Sequence, residues 1–256
     1  MSRMGRQPNS QNNRLLASLR DEDYRRLSLH FQPLSLTIRQ RLFEPGQPMD
    51  YVYFPQRGTV VSLVIPMHDG SAVEAANVGN EGFVGVGVCL DVARAHFRAF
   101  CQIPGGCVRI KAGAFKREVD RSPHLRTLLH RYTQAMIVEL TQGMACNRLH
   151  TVEERCARWL LTTRDRVGSE TFPLTQEFLA HMLGVRRASV TVVARTLQKD
   201  GLIRYSRGTI TVLDARRLEE ASCECYGVIK RDVERLTGVI SSRANSRGAE
   251  ALDVEF

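Results

Sequence analysis

Side chains that can hydrogen-bond to phosphates and to base edges are concentrated between Thr175 and Val212. This stretch holds six Lys or Arg against two Asp or Glu, a local excess of four positive charges. An Arg such as Arg187 is suited to paired hydrogen bonds with guanine, and Thr191 to contact with a thymine methyl group. Basic and small side chains in this combination are typical of a surface that contacts nucleic acid.

Many of these side chains fall on one face of a predicted helix, Arg186–Lys199. We expect base contacts from the set that shares this face, namely Arg187, Ala188, Thr191, Val192 and Arg195. We expect phosphate contacts from polar residues at the helix starts and at the tip of a following hairpin, namely Thr175, Gln176, Arg186, Ser189 and Arg207. A helix that offers its first turns in this way fits the major groove of DNA.

A helix, a tight turn and a second helix would hold these side chains in place. Thr175 follows Pro173 closely and is a good N-terminal cap for the first helix. Gly184 lies at the turn, where a residue without a Cβ is needed. Apolar residues at helical spacing predict the buried stripes, with Phe178, Leu179 and Met182 in the first helix and Val185, Val190, Val193 and Leu197 in the second.

Directly after these helices, two β-rich runs flank Ser206-Arg207-Gly208, which predicts a hairpin. Two helices that merely pack together, as in many enzymes, are the alternative structure for Thr175–Lys199. The small residues at the turn and the basic hairpin that follows favour a winged helix-turn-helix instead. We therefore predict a domain over residues 151–236 that binds double-stranded DNA.

The chain before this domain has two parts with different patterns. Between residues 14 and 122, short apolar runs such as Tyr51–Phe54, Thr59–Ile65 and Ala99–Ile103 are separated by Gly and Pro, which predicts a β jelly roll or sandwich. Residues 123–150 follow helical spacing instead, which predicts one long helix. The fold class is thus α+β, and residues 1–13 and 237–256 are predicted to be disordered.

The long helix of residues 123–150 is expected to pair with its copy in a homodimer. Its apolar positions, among them Leu125, Leu129 and Met136, recur at spacings of three and four. A long amphipathic helix in a small protein often packs against itself. Packing against the β-domain alone is the alternative that the sequence leaves open.

Charge and composition favour an anionic partner. The 256 residues carry 36 Lys and Arg against 27 Asp and Glu, a formal net charge of +9, which suits nucleic acid. No apolar run reaches the roughly 18 residues of a membrane span, and no signal peptide is evident, so we expect a cytoplasmic protein without membrane contact. Phosphate loops, nucleophile motifs and metal-type His spacing are missing, so we predict no enzyme activity, no cofactor and no metal.

The seven Cys residues are too widely spaced for a disulfide framework. We expect the first five, from Cys89 to Cys156, to be buried free thiols. Cys223 and Cys225 form the one close pair, and on a helix their side chains would point away from each other. In a loop they could form a disulfide or bind a metal, so redox sensing and simple packing of two thiols both stay open.

The order of β-rich domain, long helix and winged helix-turn-helix resembles the Crp/Fnr family of bacterial transcription regulators. The resemblance runs from about Leu15 to Leu236 and is strongest at Thr175–Val212 and at the β-domain turns, namely Glu44-Pro45-Gly46, Gly58, Asp69-Gly70 and Gly79. It implies an N-terminal jelly roll of the cyclic-nucleotide-binding type, a dimer joined by the long helix, and a palindromic operator. RNA polymerase is then a further candidate partner.

The segment that matches the family's cyclic-nucleotide cassette departs from the family pattern. Val86 stands where the family has a ribose-binding Glu, and Val cannot accept a hydroxyl hydrogen bond. His96 stands at or beside the family's phosphate-binding Arg, although Arg94 or Arg98 would serve if the loop differs in length. We expect no gating by cyclic AMP and an effector that the sequence does not identify. The residues of this degenerate effector pocket are Phe83, Gly85, Val86, Arg94 and His96.

Two further departures concern the signal and the operator. The N-terminal Cys cluster of iron–sulfur members is missing, because the first Cys is Cys89. The family's base-reading Arg, Glu and Arg are matched by Arg187, Ala188 and Val192, so we expect a different operator with more methyl contact.

Two other functions are alternatives to DNA binding. The first is a ligand or redox sensor whose output is a protein–protein contact. The second is an enzyme with a regulatory β-domain, which the absence of a catalytic motif in the sequence argues against.

Overall fold

The computed structural model describes residues 12–236 and contains a β-rich domain, a long helix and a mainly helical C-terminal domain. The strands are β1 Gln32–Leu36, β2 Arg41–Phe43, β3 Tyr51–Pro55, β4 Val60–Pro66, β5 Ala72–Val78, β6 Arg98–Ile103, β7 Gly105–Lys111, β8 Thr171–Pro173, β9 Ile203–Ser206 and β10 Thr209–Val212. The helices are α1 Arg14–Ala17, α2 Asp21–Ser28, α3 Ala112–Arg121, α4 Pro123–Leu149, α5 Val152–Val167, α6 Gln176–Leu183, α7 Arg187–Lys199, α8 Ala215–Glu220 and α9 Cys225–Leu236. The mixed α and β class predicted from the sequence is confirmed.

The β-rich domain consists of two antiparallel sheets with the orders β1-β7-β3 and β2-β6-β4-β5. The predicted strands Tyr51–Phe54, Thr59–Ile65 and Ala99–Ile103 correspond to β3, β4 and β6, each within one residue at either end. Aromatic rings fill the space beside β3, where Phe54 stacks on Phe83 with ring centroids 5.4 Å apart. This packing defines the core of the jelly roll.

The start of the described chain is more ordered than the sequence suggested. Asn13, within the segment predicted to be disordered, is fully buried, and its side chain donates hydrogen bonds to the carbonyls of Pro55 and Gly82. Its side-chain oxygen also caps α1. Short sequence windows do not show such partners, because they lie far away along the chain. The rest of the predicted disordered start and the predicted tail 237–256 lie outside the described residues.

Helix α4 is the long helix expected from the sequence. Ser122 caps it by accepting a hydrogen bond from the Leu125 N–H, and Pro123 occupies its first turn, where no hydrogen-bond donor is needed. Its first half packs on the jelly roll, where the Tyr132 hydroxyl donates to the Phe83 carbonyl at 3.0 Å. Its second half packs against α9.

The C-terminal domain begins with α5, whose first turn is fixed by a capping box between Thr151 and Glu154. A small sheet of order β8-β10-β9 follows, and α6 and α7 pack together over it. The strand β8 was not predicted, because three residues carry too little pattern. None of the helices between residues 12 and 236 combines the length and hydropathy that a membrane span needs.

The C-terminal domain lies directly on the jelly roll. Arg166 of α5 is 5% exposed and forms ion pairs with Glu81 at 2.9 Å and Glu139 at 2.8 Å. The Trp159 indole N–H donates to Glu74 of β5 at 2.7 Å. These polar contacts join α5 to both the β-domain and α4.

Candidate nucleic-acid interface

The turn between α6 and α7 has the geometry that the sequence predicted. The Thr175 hydroxyl accepts a hydrogen bond from the Phe178 N–H at 3.1 Å and so caps α6. Gly184 ends α6 with a φ of +63°, a conformation that favours glycine. Ala180 is buried in the domain core, where its small side chain leaves room for the second helix. The turn therefore fixes the direction in which α7 leaves.

Helix α7 buries one face and exposes the other. Val190, Val193 and Leu197 are buried in the domain core, as predicted. The opposite side, which we call the reading face, is exposed or half-buried and consists of Arg186, Arg187, Ala188, Ser189, Thr191, Val192 and Arg195. Val192 is 62% exposed, so its methyl groups can be reached from solvent. The reading face thus offers both guanidinium groups and methyl groups.

Gln176 and Thr191 are coupled to each other across the two helices. The Thr191 hydroxyl lies 2.9 Å from Gln176 Oε1, to which it donates, and 3.1 Å from the Arg187 carbonyl. The sequence pattern alone does not indicate that these two side chains are bonded. Because the bond holds both side chains at the start of α7, their orientation is set before any ligand arrives.

The hairpin β9–β10 forms the wing beside α7. Its two-residue turn is Arg207-Gly208, with φ values of +49° and +76°, the pattern of a tight hairpin turn. The Tyr205 hydroxyl of β9 accepts a hydrogen bond from the Gln176 N–H at 3.2 Å, and the Tyr205 N–H donates to Gln198 of α7 at 2.9 Å. The wing is therefore fixed relative to both helices.

The reading face and the wing carry uncompensated positive charge. Between residues 12 and 236, Arg186, Arg187, Arg195 and Arg207 form no ion pair with a carboxylate, and all four are exposed. Elsewhere in the C-terminal domain an Arg such as Arg164 is paired, with Glu170 at 2.6 Å. An exposed group of unpaired guanidinium groups attracts phosphate.

Comparison with known proteins agrees with this geometry. Residues 154–221 match the family model of the Crp-like helix-turn-helix domain. That match covers all but the first two residues of α5, and it includes α6, α7 and the wing.

Solved structures extend the similarity to the β-rich domain. A Crp/Fnr-family transcriptional regulator from Thermus thermophilus is 22% identical, with a TM-score of 0.62 over 75% of this chain and 98% of that one. FixK2 from Bradyrhizobium japonicum is 17% identical, with a TM-score of 0.63 over 75% of this chain and 98% of that one.

Residues 154–221 thus form a Crp-like helix-turn-helix domain, and the fold of the chain is that of the Crp/Fnr regulators. A third similar structure in this family's fold is CLP from Xanthomonas campestris, described as c-di-GMP responsive. It is 17% identical, with a TM-score of 0.63 over 76% of this chain and 100% of that one. No curated protein matches the sequence.

The residues expected to form a degenerate effector pocket lie in different surroundings from one another. Phe83 is 1% exposed and packs among aromatic rings of the jelly-roll core. A Cβ at Gly85 would lie 3.1 Å from Val52 Cγ1, and Val86 begins a short 3₁₀ helix that ends at Leu90. Arg94 and His96 are exposed to solvent. Phe83 and these two polar side chains therefore do not face a shared cavity.

Four of the cysteines predicted to be buried free thiols have unreactive surroundings. Burial raises the pKa of Cys89, Cys101, Cys107 and Cys156 to about 12, although Cys89 is only half-buried. A thiol with so high a pKa stays protonated and is a poor nucleophile.

Cys223 and Cys225 have partners that the sequence did not reveal. Cys146 and His150 of the α4 C-terminal end lie beside them, and we call these four residues the thiol cluster. A hydrogen bond from the Cys223 thiol lowers the pKa of Cys146 and raises that of Cys223. The feature of the sequence that could have indicated this cluster is the spacing of Cys146 and His150, because residues four apart lie on one face of a helix.

Proposed function

We propose that the chain is a dimeric transcription regulator that reads a palindromic DNA operator through the helix Arg186–Lys199. The observation that carries this proposal is the reading face, where exposed, unpaired Arg side chains lie beside a fixed basic wing. A helix with this exposure fits the major groove, while the wing and the start of α6 approach the phosphates. Double-stranded DNA is thus the proposed ligand.

The exposed side of α4 supports pairing of two chains. Ile137, Thr141 and Met144 are exposed and follow one another at spacings of four and three, the pattern of a coiled-coil seam. Ile137 is 48% exposed and Met144 is 73% exposed. A second copy would cover these apolar groups, whereas the jelly roll and α9 already cover the other side of the helix.

Two chains related by a twofold axis would present two reading faces to one side of DNA. In dimers of this kind the half-site centres lie about one helical turn apart, ~34 Å. The operator is therefore proposed to be an inverted repeat. Since regulators of this class act on transcription in bacteria, RNA polymerase is a proposed further partner and the cytoplasm the proposed location.

The chemistry of the reading face indicates which bases it favours. Arg187 offers a bidentate donor pair for guanine, whereas Ala188 and Val192 offer only methyl groups. We expect thymine at the positions that Ala188 and Val192 approach. Cyclic AMP is not the proposed effector, because Val86 lacks an acceptor for ribose and Arg94 and His96 face solvent.

Substitution of Arg187 tests the assignment of α7. We expect Arg187→Ala to cost ~1–3 kcal/mol in operator binding and to relax selectivity at one base pair of each half-site. Arg117→Ala is the matched control, because Arg117 is an exposed Arg of α3 in the β-domain. Gel-shift titrations with operator and random duplexes measure both effects. Equal affinities of the Arg187→Ala and Arg117→Ala variants for every duplex would refute the assignment.

A further inference from the structure

We propose that the thiol cluster of Cys146, His150, Cys223 and Cys225 binds one Zn²⁺ ion. The ion would join the end of α4 to the segment that begins α9. The proposal is independent of the DNA-binding function proposed above, because it rests on residues outside the reading face. It replaces the expectation, drawn from His spacing alone, that the chain binds no metal.

The distances within the cluster fit a single tetrahedral ion. The four potential ligand atoms all lie within 4.8 Å of one another. Cys146 Sγ is 3.5 Å from Cys223 Sγ, and Cys225 Sγ is 3.5 Å from His150 Nδ1. Zn–S bonds of about 2.3 Å in a tetrahedron place neighbouring sulfur atoms about 3.8 Å apart. Small shifts of the side chains would therefore complete the coordination.

The backbone brings the four ligands together from two elements. Cys146 and His150 are four residues apart at the end of α4, so their side chains lie on the same side of the helix. Cys223 and Cys225 flank the start of α9, where the chain turns towards α4. All three cysteines are at most 5% exposed and form their own buried cluster.

Two of the four proposed zinc ligands, His150 and Cys225, are oriented by hydrogen bonds or ion pairs to other side chains. Nε2 of His150 lies 3.2 Å from the Glu224 carboxylate, which leaves Nδ1 directed at Cys225. The Gln142 amide donates a hydrogen bond to Cys225 Sγ at 3.1 Å. A carboxylate on the far nitrogen of a ligating His is a common feature of zinc sites, because it fixes the tautomer.

The types of ligand atom in the thiol cluster favour zinc over an iron–sulfur cluster or a disulfide. Three thiolates and one imidazole form a set used by closed structural zinc sites. Iron–sulfur clusters of the ferredoxin type take four Cys instead. A disulfide between Cys146 and Cys223 would give no role to His150 and Cys225. When zinc binds, each thiol loses its proton to solvent and the sulfur lone pair forms the bond to the metal.

Metal content of the full-length protein tests the site. The protein is purified under reducing conditions, incubated with Zn²⁺, freed of unbound metal and analysed for zinc. We expect about one Zn²⁺ per chain, and we expect this zinc to be lost in the Cys146→Ser/Cys225→Ser double variant. Cys89→Ser, a thiol outside the cluster, is the control and retains the metal. Wild-type protein that binds no zinc, or a double variant that retains it, overturns the proposal.

Conservative variants separate ligation from a purely structural role. His150→Cys keeps four donors and should retain zinc, whereas His150→Ala should lose it. Glu224→Gln should weaken the affinity for Zn²⁺ about 10–100-fold. Glu220→Gln is its control, because Glu220 is an exposed Glu outside the thiol cluster.

Spectra of the wild-type protein distinguish the competing chemistry without any variant. Co²⁺ titration should give the absorption bands of a tetrahedral thiolate complex. Stoichiometric iron and labile sulfide, or a Cys146–Cys223 disulfide that persists in protein purified with reductant, would overturn the zinc site in favour of those chemistries.

Discussion

Glu74 is a buried carboxylate at the contact between the jelly roll and the C-terminal domain. Its Oε1 accepts hydrogen bonds from the Trp159 indole at 2.7 Å and from the Asn77 amide at 3.1 Å, while Oε2 has no partner among residues 12–236. Burial raises the pKa of Glu74 above its ordinary value of 4.5, and the hydrogen bonds from Trp159 and Asn77 oppose this only in part. The folded protein therefore binds a proton here more tightly than the unfolded chain does.

The first prediction concerns the pH dependence that Glu74 causes. Since the folded-state pKa is raised, the stabilisation is complete below about 4.5 and is lost as the pH rises through the raised pKa. The free energy of unfolding should fall over this window by at most about 1.4 kcal/mol per pH unit.

Glu74→Gln should remove this dependence, and Trp159, the single Trp, reports it by fluorescence in urea titrations. The exposed Glu177→Gln serves as control. Parallel pH profiles of wild type and Glu74→Gln would contradict the prediction.

Sequence reasoning found the residues of the reading face because helical spacing is a local pattern. Arg187, Ala188 and Val192 follow from the period of the buried valines in α7. It missed the bond between Gln176 and Thr191, and it missed Cys146 and His150 as neighbours of Cys223. These partners meet through tertiary packing, which no local spacing encodes.

Helix α4 is the element that decides between a dimer and a monomer. Its start, with Leu125 and Leu129, is buried in the jelly-roll core. Further along, α9 covers one side of the helix, while Ile137, Thr141 and Met144 stay exposed on another. Helix α4 therefore packs on the β-domain, and the exposed Ile137 and Met144 leave its pairing with a second copy as a proposal.

The second prediction places a charge in this stripe. Ile137→Glu should weaken dimerisation at least tenfold, because two carboxylates would be buried without partners at the twofold axis. Met67→Glu is the control, since Met67 is a comparably exposed apolar side chain on a β-domain turn. Sedimentation equilibrium measures the dissociation constant. An unchanged monomer–dimer equilibrium in Ile137→Glu would place the interface elsewhere.

Helices and strands with a strong hydrophobic periodicity can be predicted from the sequence, whereas those with a weak periodicity cannot. The long helix α4 and the strands β3, β4 and β6 have clear patterns and were found from the sequence. Strand β8 has only three residues, and it forms because it pairs with β10. Its existence depends on the wing, which lies far along the chain.

At the scale of the whole molecule, Arg166 joins the three parts of the structure. Its guanidinium contacts Glu81 after β5, Glu139 of α4 and the side chain of Asn77, and the neighbouring carboxylates raise its pKa despite its burial. Removal of one partner of a buried ion pair leaves the remaining charges without compensation. No local pattern predicts this network, because its members are up to 89 positions apart.

The third prediction follows from this network. Arg166→Ala should lower the free energy of unfolding by ~3–5 kcal/mol, since Glu81 and Glu139 would remain buried and charged. Arg164→Ala, two residues away and paired with Glu170 near the surface, should cost only ~0–1 kcal/mol. Urea unfolding of both variants provides the comparison. A similar small cost for both would show that the network does not hold the domains together.

Selection of duplexes from a random library by the full-length protein shows whether two copies of α7 read DNA together. A dimer that reads DNA through two copies of α7 should enrich an inverted repeat whose half-site centres lie about one helical turn apart, ~34 Å. Arg187→Ala should enrich the same repeat with one position of each half-site relaxed. Absence of any enriched repeat, or an identical motif from wild type and Arg187→Ala, would show that α7 does not read the operator.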